Sequence, residues 1–355
     1  MDIVSLFSGC GGLDLGFKQA GFNTIWANEY DKSIWDTYEF NHPEIKLEKR
    51  DIRVIKYQEI PNCSGIIGGP PCQSWSEAGA GRGINDSRGQ LFYDYVRILK
   101  DKKPLFFLAE NVSGILAEKH TPAFTNILNQ FKDAGYKVTY KLLNAQNFDV
   151  PQDRKRVIIV GYREDIGYGF DFPKGSNSFF TLRDAIYDLS QLEPVEVNGY
   201  PFIKNKQVPN HEYLDSSFSS IYMSRNRVRN WDEPSFTIQA GGRHAPIHPQ
   251  ASKMIFIEKD KWRFDPESPK AYRRLSVREC ARIQTFPDTF ILKYSNIANG
   301  YKMIGNAVPV NFARILASKI MEDVQDYLSF GSSSCKNKQD DLLQAVLSTD
   351  GTLVK

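Results

Sequence analysis

The sequence contains few cysteines, and their positions disfavour two common kinds of site. Its 355 residues include Cys10, Cys63, Cys72, Cys280 and Cys335. An odd number without paired spacing disfavours both a disulfide framework and structural zinc, and we expect no metal. Cysteines that stay reduced are typical of the cytoplasm.

Long apolar runs are also lacking. No stretch approaches the roughly 20 apolar residues of a membrane span, and no basic-then-apolar signal precedes the first strand, so we expect no membrane association. The chain is 41% hydrophobic and 25% charged, enough for a large core and two domains. A net charge of +3 and a pI near 8.4 are compatible with a polyanionic partner without requiring one.

The most informative stretch surrounds Cys72. Residues 64–67 form a short apolar run that predicts a buried strand, and Pro70 and Pro71 then prevent continued pairing or a helix. Cys72 is thus placed at a strand end, where catalytic groups collect in open α/β sheets. A small apolar cysteine packed under a loop is equally compatible with this stretch alone.

The N-terminus predicts a strand over residues 3–7, a glycine-rich turn and a helix that reaches residue 20. This arrangement is typical of a backbone cradle for a nucleotide-like ligand, although a simple tight turn is the alternative. Asp14 occupies the position of the third glycine in the dinucleotide motif. A carboxylate there repels a pyrophosphate and can accept hydrogen bonds, so a nucleoside without phosphates fits better than NAD.

Acidic residues follow the next two predicted strands. Glu29 lies about twenty residues beyond the first glycine, where a carboxylate binds ribose hydroxyls. Tyr30 could lie against an adenine ring, and Asp51, beside Ile52, could accept from an exocyclic amine. Each acid could instead be a solvated turn residue.

Further elements position other charged residues. Residues 74–89 are rich in glycine and predict a long loop, either an active-site lid or a disordered excursion. A helix over residues 91–99 and a buried strand over 104–109 lead to Glu110, a candidate general acid or a solvated strand-end residue. Strands are expected over 137–143 and 156–162. Arg154 and Arg156, at alternate positions, face the same way.

Several segments together carry a family resemblance. In order and spacing they resemble the signature blocks of DNA (cytosine-5)-methyltransferases, and among these the bacterial restriction–modification enzymes that methylate GGCC. The resemblance extends from about residue 3 to 325. The matching segments are residues 7–12 (FSGCGG), 71–73 (PCQ), 110–112 (ENV), 152–156 (QDRKR), 274–287 (RLSVRECARIQTFP) and 305–309 (GNAVP).

The resemblance implies a fold and a domain division. The expected fold class is α/β, with a Rossmann-like S-adenosylmethionine-dependent methyltransferase domain and a smaller, mostly irregular or β target-recognition domain. The large domain would comprise residues 1–168 and 292–330, the recognition domain residues 169–291, and a tail residues 331–355. The implied cofactor is S-adenosylmethionine and the implied substrate double-stranded DNA, in a bacterial cytoplasm. A cognate restriction endonuclease would be a functional partner without required contact, and the chain would act as a monomer.

The resemblance also assigns roles. Cys72 would add to carbon 6 of cytosine, protonated Glu110 would donate to ring nitrogen 3, and Arg156, supported by Arg154, would bind the carbonyl oxygen. The base must be flipped out of the duplex to be reached. The implied cofactor contacts are Phe7, Ser8, Gly9, Cys10, Gly11, Gly12, Leu13, Glu29, Tyr30, Asp51, Ile52, Gly69, Pro71, Asn306 and Ala307. The expected DNA contacts are Ser76 and Arg82, near the space that the flipped base vacates, and Arg225, Arg227, Arg229 and Arg243, because arginines bind guanine edges or phosphates.

Other readings remain open. A transfer-RNA cytosine methyltransferase has the same chemistry, and a non-catalytic DNA-binding regulator could keep the fold. A nicotinamide dehydrogenase is disfavoured by Asp14. We expect Ser276 to cap a helix together with Glu279, and His211, His244 and His248 to be surface or DNA-proximal groups.

Overall fold

A seven-stranded sheet forms the centre of the computed structural model, which describes residues 1–70, 91–177, 179–197 and 207–330. The strand order is β3-β2-β1-β4-β5-β7-β6. The strands are β1 (Asp2–Leu6), β2 (Asn23–Asn28), β3 (Lys46–Glu48), β4 (Gly65–Gly68), β5 (Phe106–Val112), β6 (Tyr136–Asn144) and β7 (Lys155–Arg163).

The chain reverses its direction of travel across the sheet at β1. Strand β1 pairs in parallel with β2 on one side and with β4 on the other. Such a switch point leaves a crevice beyond the carboxyl ends of the two central strands. Leu6 is level with Gly68, so the turns that follow β1 and β4 begin side by side. Within the described part of the main sheet, the antiparallel pairings are those of β7 with β5 and with β6.

Helices cover both faces of the sheet. Phe17 in the first helix and Phe312 and Leu316 in the last share a core on one face, whereas Phe92 and Phe131 pack on the other. None of the helices within the described ranges has the length and apolar character of a membrane span. The helices are α1 (Gly12–Gln19), α2 (Trp35–Asn41), α3 (Leu91–Lys102), α4 (Thr121–Asp133), α5 (Leu182–Ile186), α6 (Val277–Ile283), α7 (Ile297–Asn306) and α8 (Val310–Phe330).

The two ends of the chain meet where α1 packs on α8. A side chain at Gly16 would place its Cβ 2.4 Å from the Cβ of Ala313 and 2.7 Å from the carbonyl oxygen of Val310, so glycine permits this close approach. The N-terminal strand and the C-terminal helix therefore belong to one layered unit. Such packing is what a discontinuous large domain requires, and its boundaries stay a prediction.

The region between β7 and α6 contains short strands and much irregular chain. Strands β8 (Val195–Val197) and β9 (Glu212–Leu214) pair in parallel, and β10 (Ile255–Glu258) and β11 (Lys261–Arg263) pair antiparallel. The expected fold class is thus confirmed.

Helices α6 and α7 share one buried cluster with Leu182 and Ile238. The division expected at residue 291 passes through that cluster.

A buried polar group anchors α6. Ser276 accepts from the Glu279 amide at 3.1 Å and Glu279 accepts from the Ser276 amide at 2.7 Å, which confirms the predicted cap. Arg273 donates to both carboxylate oxygens of Glu279 at 2.8 and 2.9 Å. These charges hold the pKa of Glu279 well below its usual range in spite of complete burial.

Two histidines do not lie where the sequence predicts. His211 and His248 are fully buried, so the expectation of surface groups is wrong for both, while His244 is exposed. His211 Nδ1 lies 2.9 Å from Ser276 Oγ. His248 packs edge-on against Trp231, and burial lowers its pKa to about 4. Both imidazoles lie beside the anchor of α6, since His211 contacts Ser276 and His248 Nε2 lies 3.5 Å from Glu279 Oε1.

The anchor of α6 predicts a large stability effect. Replacing Glu279 by alanine leaves Arg273 buried without its carboxylate, and we expect the free energy of unfolding to fall by about 3–5 kcal/mol. The matched control is Glu258→Ala, which removes an exposed carboxylate 3.0 Å from Lys261 and should change stability little. Urea unfolding at neutral pH measures both. Equal effects of the two substitutions would contradict the anchoring role.

Candidate active site

A cavity of about 250 Å³ opens beyond the carboxyl ends of β1 and β4. We call it the first cavity. It is bounded by the turn after β1, the end of β4, the end of β5 and the segment that follows α7. The sequence-predicted residues among its lining are Phe7, Ser8, Gly9, Cys10, Gly12, Leu13, Glu29, Gly69, Glu110, Arg154, Arg156, Asn306 and Ala307.

The turn after β1 has an unusual backbone. Phe7 has a φ of 54°, a left-handed conformation that is uncommon for a bulky residue, and Gly9 and Gly11 have φ of 56° and 90°. The amide of Ser8 bonds the carbonyl of Asn28 at 3.1 Å, and that of Gly11 bonds the carbonyl of Ser8 at 3.0 Å. The turn is therefore fixed before any ligand binds.

Glu29 closes one side of the first cavity. Its two oxygens accept from the amides of Gly9 at 2.9 Å and Asp31 at 2.7 Å. Burial raises the pKa of Glu29, and these hydrogen bonds oppose that shift. Each carboxylate oxygen keeps a further lone pair, so the side chain can still accept from hydroxyl groups of a ligand.

Asp14 does not face the first cavity. It is buried beneath the glycine turn and accepts from Ser5 Oγ and Tyr38 Oη, both at 3.0 Å. The prediction that Asp14 meets a ligand directly is therefore wrong. The cause is the helical position of Asp14, which turns its carboxyl toward the sheet instead of the turn. Burial raises its pKa to about 6.

Four other predicted cofactor contacts are not among the residues that line the first cavity. Tyr30 is exposed, and Ile52 is buried in the core beside β1. Asp51 accepts from the backbone amide and the guanidinium of Arg53, each at 3.0 Å. Gly11 is likewise not part of the lining. Their roles as cofactor contacts stay predictions.

Cys10 lines the cavity but is not a reactive thiol. Its sulfur is buried 3.6 Å from the carbonyl oxygen of Met303. Burial raises the pKa of this thiol to about 12. A thiol that stays protonated is a poor nucleophile, so Cys10 serves to pack the turn against α7.

Glu110 and Arg156 form an ion pair at the edge of the first cavity. Arg156 Nε lies 2.8 Å from Glu110 Oε1, and both side chains are about nine-tenths buried. The predicted strand 104–109 in fact continues through Glu110 to Val112, because pairing with β7 places Val112 opposite Arg156. Residues two apart share a face of the sheet, which brings Glu110 next to Arg156.

Arg154 holds the walls of the first cavity together. Its guanidinium donates to the carbonyls of Ile238 at 3.0 Å, Gly305 at 2.9 Å and Ala307 at 2.9 Å. Burial lowers its pKa well below the usual range. Its expected support for a cytosine contact stays a prediction.

A second cavity, of about 480 Å³, lies between β5, β7 and the irregular region. Val112 and Arg156 line both cavities, so the two are separated by a common wall. Among the described residues the lining is strongly basic, with a single acidic residue, and suits a polyanion. Its charged residues are Asp153, Lys155, Arg156, Arg225 and Arg227.

Four of the five arginines predicted to contact DNA lie within the described residues, and they differ in their surroundings. Arg225 is exposed at the second cavity, and Arg243 is exposed beside it, next to the cavity residue His244. Arg227 is buried and donates to the carbonyls of Tyr222 at 2.8 Å and Ile221 at 3.0 Å, which fixes its guanidinium. Arg229 is paired with Glu233 at 3.1 Å.

Some site residues were not predicted individually. Asn111 donates to the carbonyl of Pro70 at 3.2 Å and so fixes the end of β4 beside the first cavity. Gln239 and Thr237 line the second cavity. Asn111 falls within the matching segment 110–112, whereas Thr237 and Gln239 lie outside all the matching segments.

Four predicted site residues, Pro71, Cys72, Ser76 and Arg82, lie outside the described residues. The nearest described residue before them is Pro70, which lines the first cavity.

The burial of Asp14 predicts a pH-dependent stability. Because its pKa is about 6 when folded and near 3.9 when unfolded, the folded state holds the proton more tightly. The free energy of unfolding should therefore decrease by about 2 kcal/mol from this group as pH rises from 4 to 6. Asp14→Asn lacks this titration. In urea unfolding between pH 4 and 7, the free energy of unfolding of the variant should rise relative to that of the wild type. A difference between the two proteins that stays constant with pH would contradict the prediction.

Comparison with known proteins identifies the family. The model of the C-5 cytosine-specific DNA methylase family matches residues 1–322. The type II methyltransferase M.MthTI of Methanothermobacter thermautotrophicus is 60% identical, over 93% of this chain and 99% of its own length. M.NgoPII of Neisseria gonorrhoeae, also a type II methyltransferase, is 53% identical, over 92% and 96%.

Solved structures share the fold. The Entamoeba histolytica methyltransferase EhMeth superposes with a TM-score of 0.65 at 17% identity, over 92% of this chain and 98% of its own. The Schizosaccharomyces pombe Dnmt2 methyltransferase gives 0.59 at 17% identity, over 91% and 99%. The protein therefore belongs to the C-5 cytosine-specific DNA methylase family and is a DNA cytosine-5 methyltransferase of the restriction–modification kind that uses S-adenosylmethionine.

Proposed function

We propose that this enzyme methylates carbon 5 of a cytosine flipped out of duplex DNA, within the sequence GGCC, through a covalent adduct with Cys72. The observation that carries the proposal is the common wall of the two cavities, formed by Val112 and Arg156. A base in the second cavity would adjoin a cofactor in the first. The Glu110–Arg156 pair stands at that boundary.

The first cavity fits S-adenosylmethionine, which supplies an electrophilic methyl group when bound. Glu29 retains acceptor capacity for ribose hydroxyls, and the cofactor has no phosphate that this carboxylate would repel. A phosphate-binding turn often contains a lysine or an arginine, whereas the glycine turn contains neither. The turn and the segment containing Asn306 and Ala307 would hold the cofactor from two sides.

Cys72 would start the reaction. Carbon 5 of cytosine is a poor nucleophile until a thiolate adds to carbon 6, which makes carbon 5 electron-rich. The assignment rests on the family resemblance and on the position of Cys72 two residues after Pro70, a residue of the cavity wall. A thiol with a pKa near 8.5 needs a cationic neighbourhood to form the thiolate at neutral pH.

Glu110 and Arg156 would bind the Watson–Crick edge of the base. Arg156 can donate to the carbonyl oxygen of cytosine, while a protonated Glu110 donates to nitrogen 3 and so draws electrons from the ring as Cys72 adds. In the ion pair Glu110 only accepts. Its acid role therefore requires uptake of a proton when the base replaces Arg156 as its partner.

The reaction closes by restoring the aromatic ring. After carbon 5 has gained the methyl group, it loses its proton to a base, and the electrons of that C–H bond form the carbon 5–carbon 6 double bond. The bond between carbon 6 and the Cys72 sulfur breaks, the sulfur leaves as thiolate, and nitrogen 3 returns its proton to the Glu110 carboxylate. Cys72 is thus regenerated.

Recognition of GGCC would use the arginines of the irregular region. Arginine can bond the O6 and N7 acceptors of guanine in a bidentate way, and a site with two adjacent guanines on each strand offers several such pairs. Exposed Arg243 and the fixed guanidinium of Arg227 are proposed base contacts, Arg225 a base or phosphate contact, and Arg229 a further DNA contact. Phosphate contacts would make binding strongly salt-dependent.

We further propose that the enzyme protects bacterial DNA in the cytoplasm from a cognate restriction endonuclease, which it need not touch. One chain contains both cavities and both members of the ion pair. A monomer therefore suffices.

Methyl transfer to defined nucleic acids tests the proposal. Labelled S-adenosylmethionine is offered with duplexes that carry GGCC, duplexes that carry scrambled sites, and transfer RNA, and we expect label on cytosine carbon 5 of GGCC only. Cys72→Ala should abolish transfer and keep GGCC binding. Label on another duplex would refute the site assignment, and label on RNA alone would favour a transfer-RNA enzyme.

Glu110→Gln tests the acid role. Glutamine cannot supply the proton to nitrogen 3, so we expect kcat to fall roughly 10²- to 10⁴-fold with little change in DNA affinity. Glu118→Gln is the matched control, because Glu118 is exposed and lines neither cavity, and it should leave kcat unchanged. Single-turnover methylation measures both. A Glu110→Gln enzyme that transfers at the wild-type rate would remove Glu110 from the mechanism.

A further inference from the structure

Three buried polar side chains lie between the walls of the two cavities. Gln152, Arg154 and Gln284 are each at most 1% exposed. We call them the Gln–Arg–Gln cluster. On one side of it, residues 237–239 carry Thr237 and Gln239 into the second cavity; on the other, residues 305–307 form part of the first cavity.

The Gln–Arg–Gln cluster holds residues 237–239 through Ile238. The amide of Ile238 donates to Gln152 Oε1 at 2.9 Å, and the carbonyl of Ile238 accepts from Arg154 Nη1 at 3.0 Å. Both backbone polar groups of Ile238 are therefore bonded to the cluster. Since Ile238 lies between Thr237 and Gln239, its position sets where these two side chains enter the second cavity.

The cofactor side is held through the end of α7. Gln284 Nε2 donates to the carbonyls of Ile304 at 2.7 Å and Ala307 at 3.3 Å. Arg154 Nη2 donates to the carbonyls of Gly305 and Ala307, both at 2.9 Å. The last carbonyls of a helix have no partner within it, so these donors determine how the cavity wall after α7 lies.

A side-chain bond joins the two halves. Gln152 Nε2 donates to Gln284 Oε1 at 2.9 Å. The orientation of both amides is set by their other partners, because reversing either would oppose two donors or two acceptors. A movement of residues 304–307 must therefore displace Gln284 and Gln152, and through Gln152 the amide of Ile238.

Direct backbone packing supports the same link. A Cβ added to Gly305 would lie 2.3 Å from the carbonyl oxygen of Gln239 and 2.4 Å from the amide nitrogen of Ala240. The two segments are in contact with no space for an intervening layer. Small shifts in one wall are passed on because packed, hydrogen-bonded elements are not continuously deformable.

We propose that the Gln–Arg–Gln cluster couples the two cavities, and that Gln152 and Gln284 are positioning residues through which a bound cofactor sets residues 237–239 for DNA. This inference rests on the proposed assignment of the first cavity to the cofactor and the second to DNA. By reciprocity, bound DNA tightens cofactor binding by the same factor.

Amide hydrogen exchange of the wild-type protein gives the first test. S-adenosylhomocysteine, a stable probe for the cofactor, is added without DNA. We expect slower exchange at the glycine turn, residues 8–12, and also at Ile238 across the cluster. Protection of the turn without any change at Ile238 would overturn the coupling. No protection of the turn would instead refute the cavity assignment, and the coupling with it.

Binding measurements on variants give the second test. The affinity for a GGCC duplex is measured with and without S-adenosylhomocysteine, and we expect a wild-type ratio of roughly tenfold. Gln284→Met keeps the side-chain length but breaks the link, so its ratio should fall toward one while each ligand alone still binds. Gln152→Met, which keeps the bonds from Gln284 to α7, should act likewise and serves if Gln284→Met does not fold.

The control is Tyr162→Phe. It removes a buried hydroxyl that donates to Asp323 at 2.9 Å, in the core on the α8 face of the sheet. This variant should lower stability and leave the binding ratio unchanged. A wild-type ratio of one would overturn the proposal. It would also be overturned if Gln284→Met and Gln152→Met fold and keep the wild-type ratio. A ratio that falls equally in Tyr162→Phe would show that loss of stability, not loss of the link, causes the effect.

Discussion

The reversal of β7 beside β5 is the constraint on which the candidate active site depends. All other pairings in the main sheet within the described ranges, apart from that of β6 with β7, are parallel. Because β7 runs back along β5, its first residues lie at the carboxyl end of β5, level with the turns after β1 and β4. Arg156 thereby meets Glu110 at the crevice of the switch point. A parallel β7 would place its first residues, Arg156 among them, at the far end of the sheet.

The sequence determines this arrangement to a considerable extent. Apolar runs bounded by glycine and proline locate the strands, and the alternation of arginines predicts that Arg154 and Arg156 share a face. Because they share that face, both guanidinium groups point toward the crevice, but they contact different partners. Arg156 meets a carboxylate, whereas Arg154 is taken up by three carbonyls. Which of the two stays available to a ligand depends on chain segments remote in sequence.

Buried polar residues are where sequence reasoning fails. Polarity alone predicts the surface for His211 and His248 and a ligand contact for Asp14, yet all three are buried with polar neighbours. Such residues are stable inside only because tertiary structure supplies hydrogen bonds. The pair Gln152 and Gln284 is separated by 132 positions, so neither residue signals its partner locally.

The packing of α1 on α8 also bears on the biosynthesis of the enzyme. About 290 residues separate the end of α1 from the start of α8. At 5–20 residues per second the ribosome needs roughly 15 to 60 s to bridge that interval. During this time the face of α1 that α8 will cover, including Phe17, has no native partner, and the wall formed by Asn306 and Ala307 does not yet exist. The nascent chain therefore cannot complete the first cavity until residues 304–307 have been made, and by then the irregular region that lines the second cavity has already been synthesised.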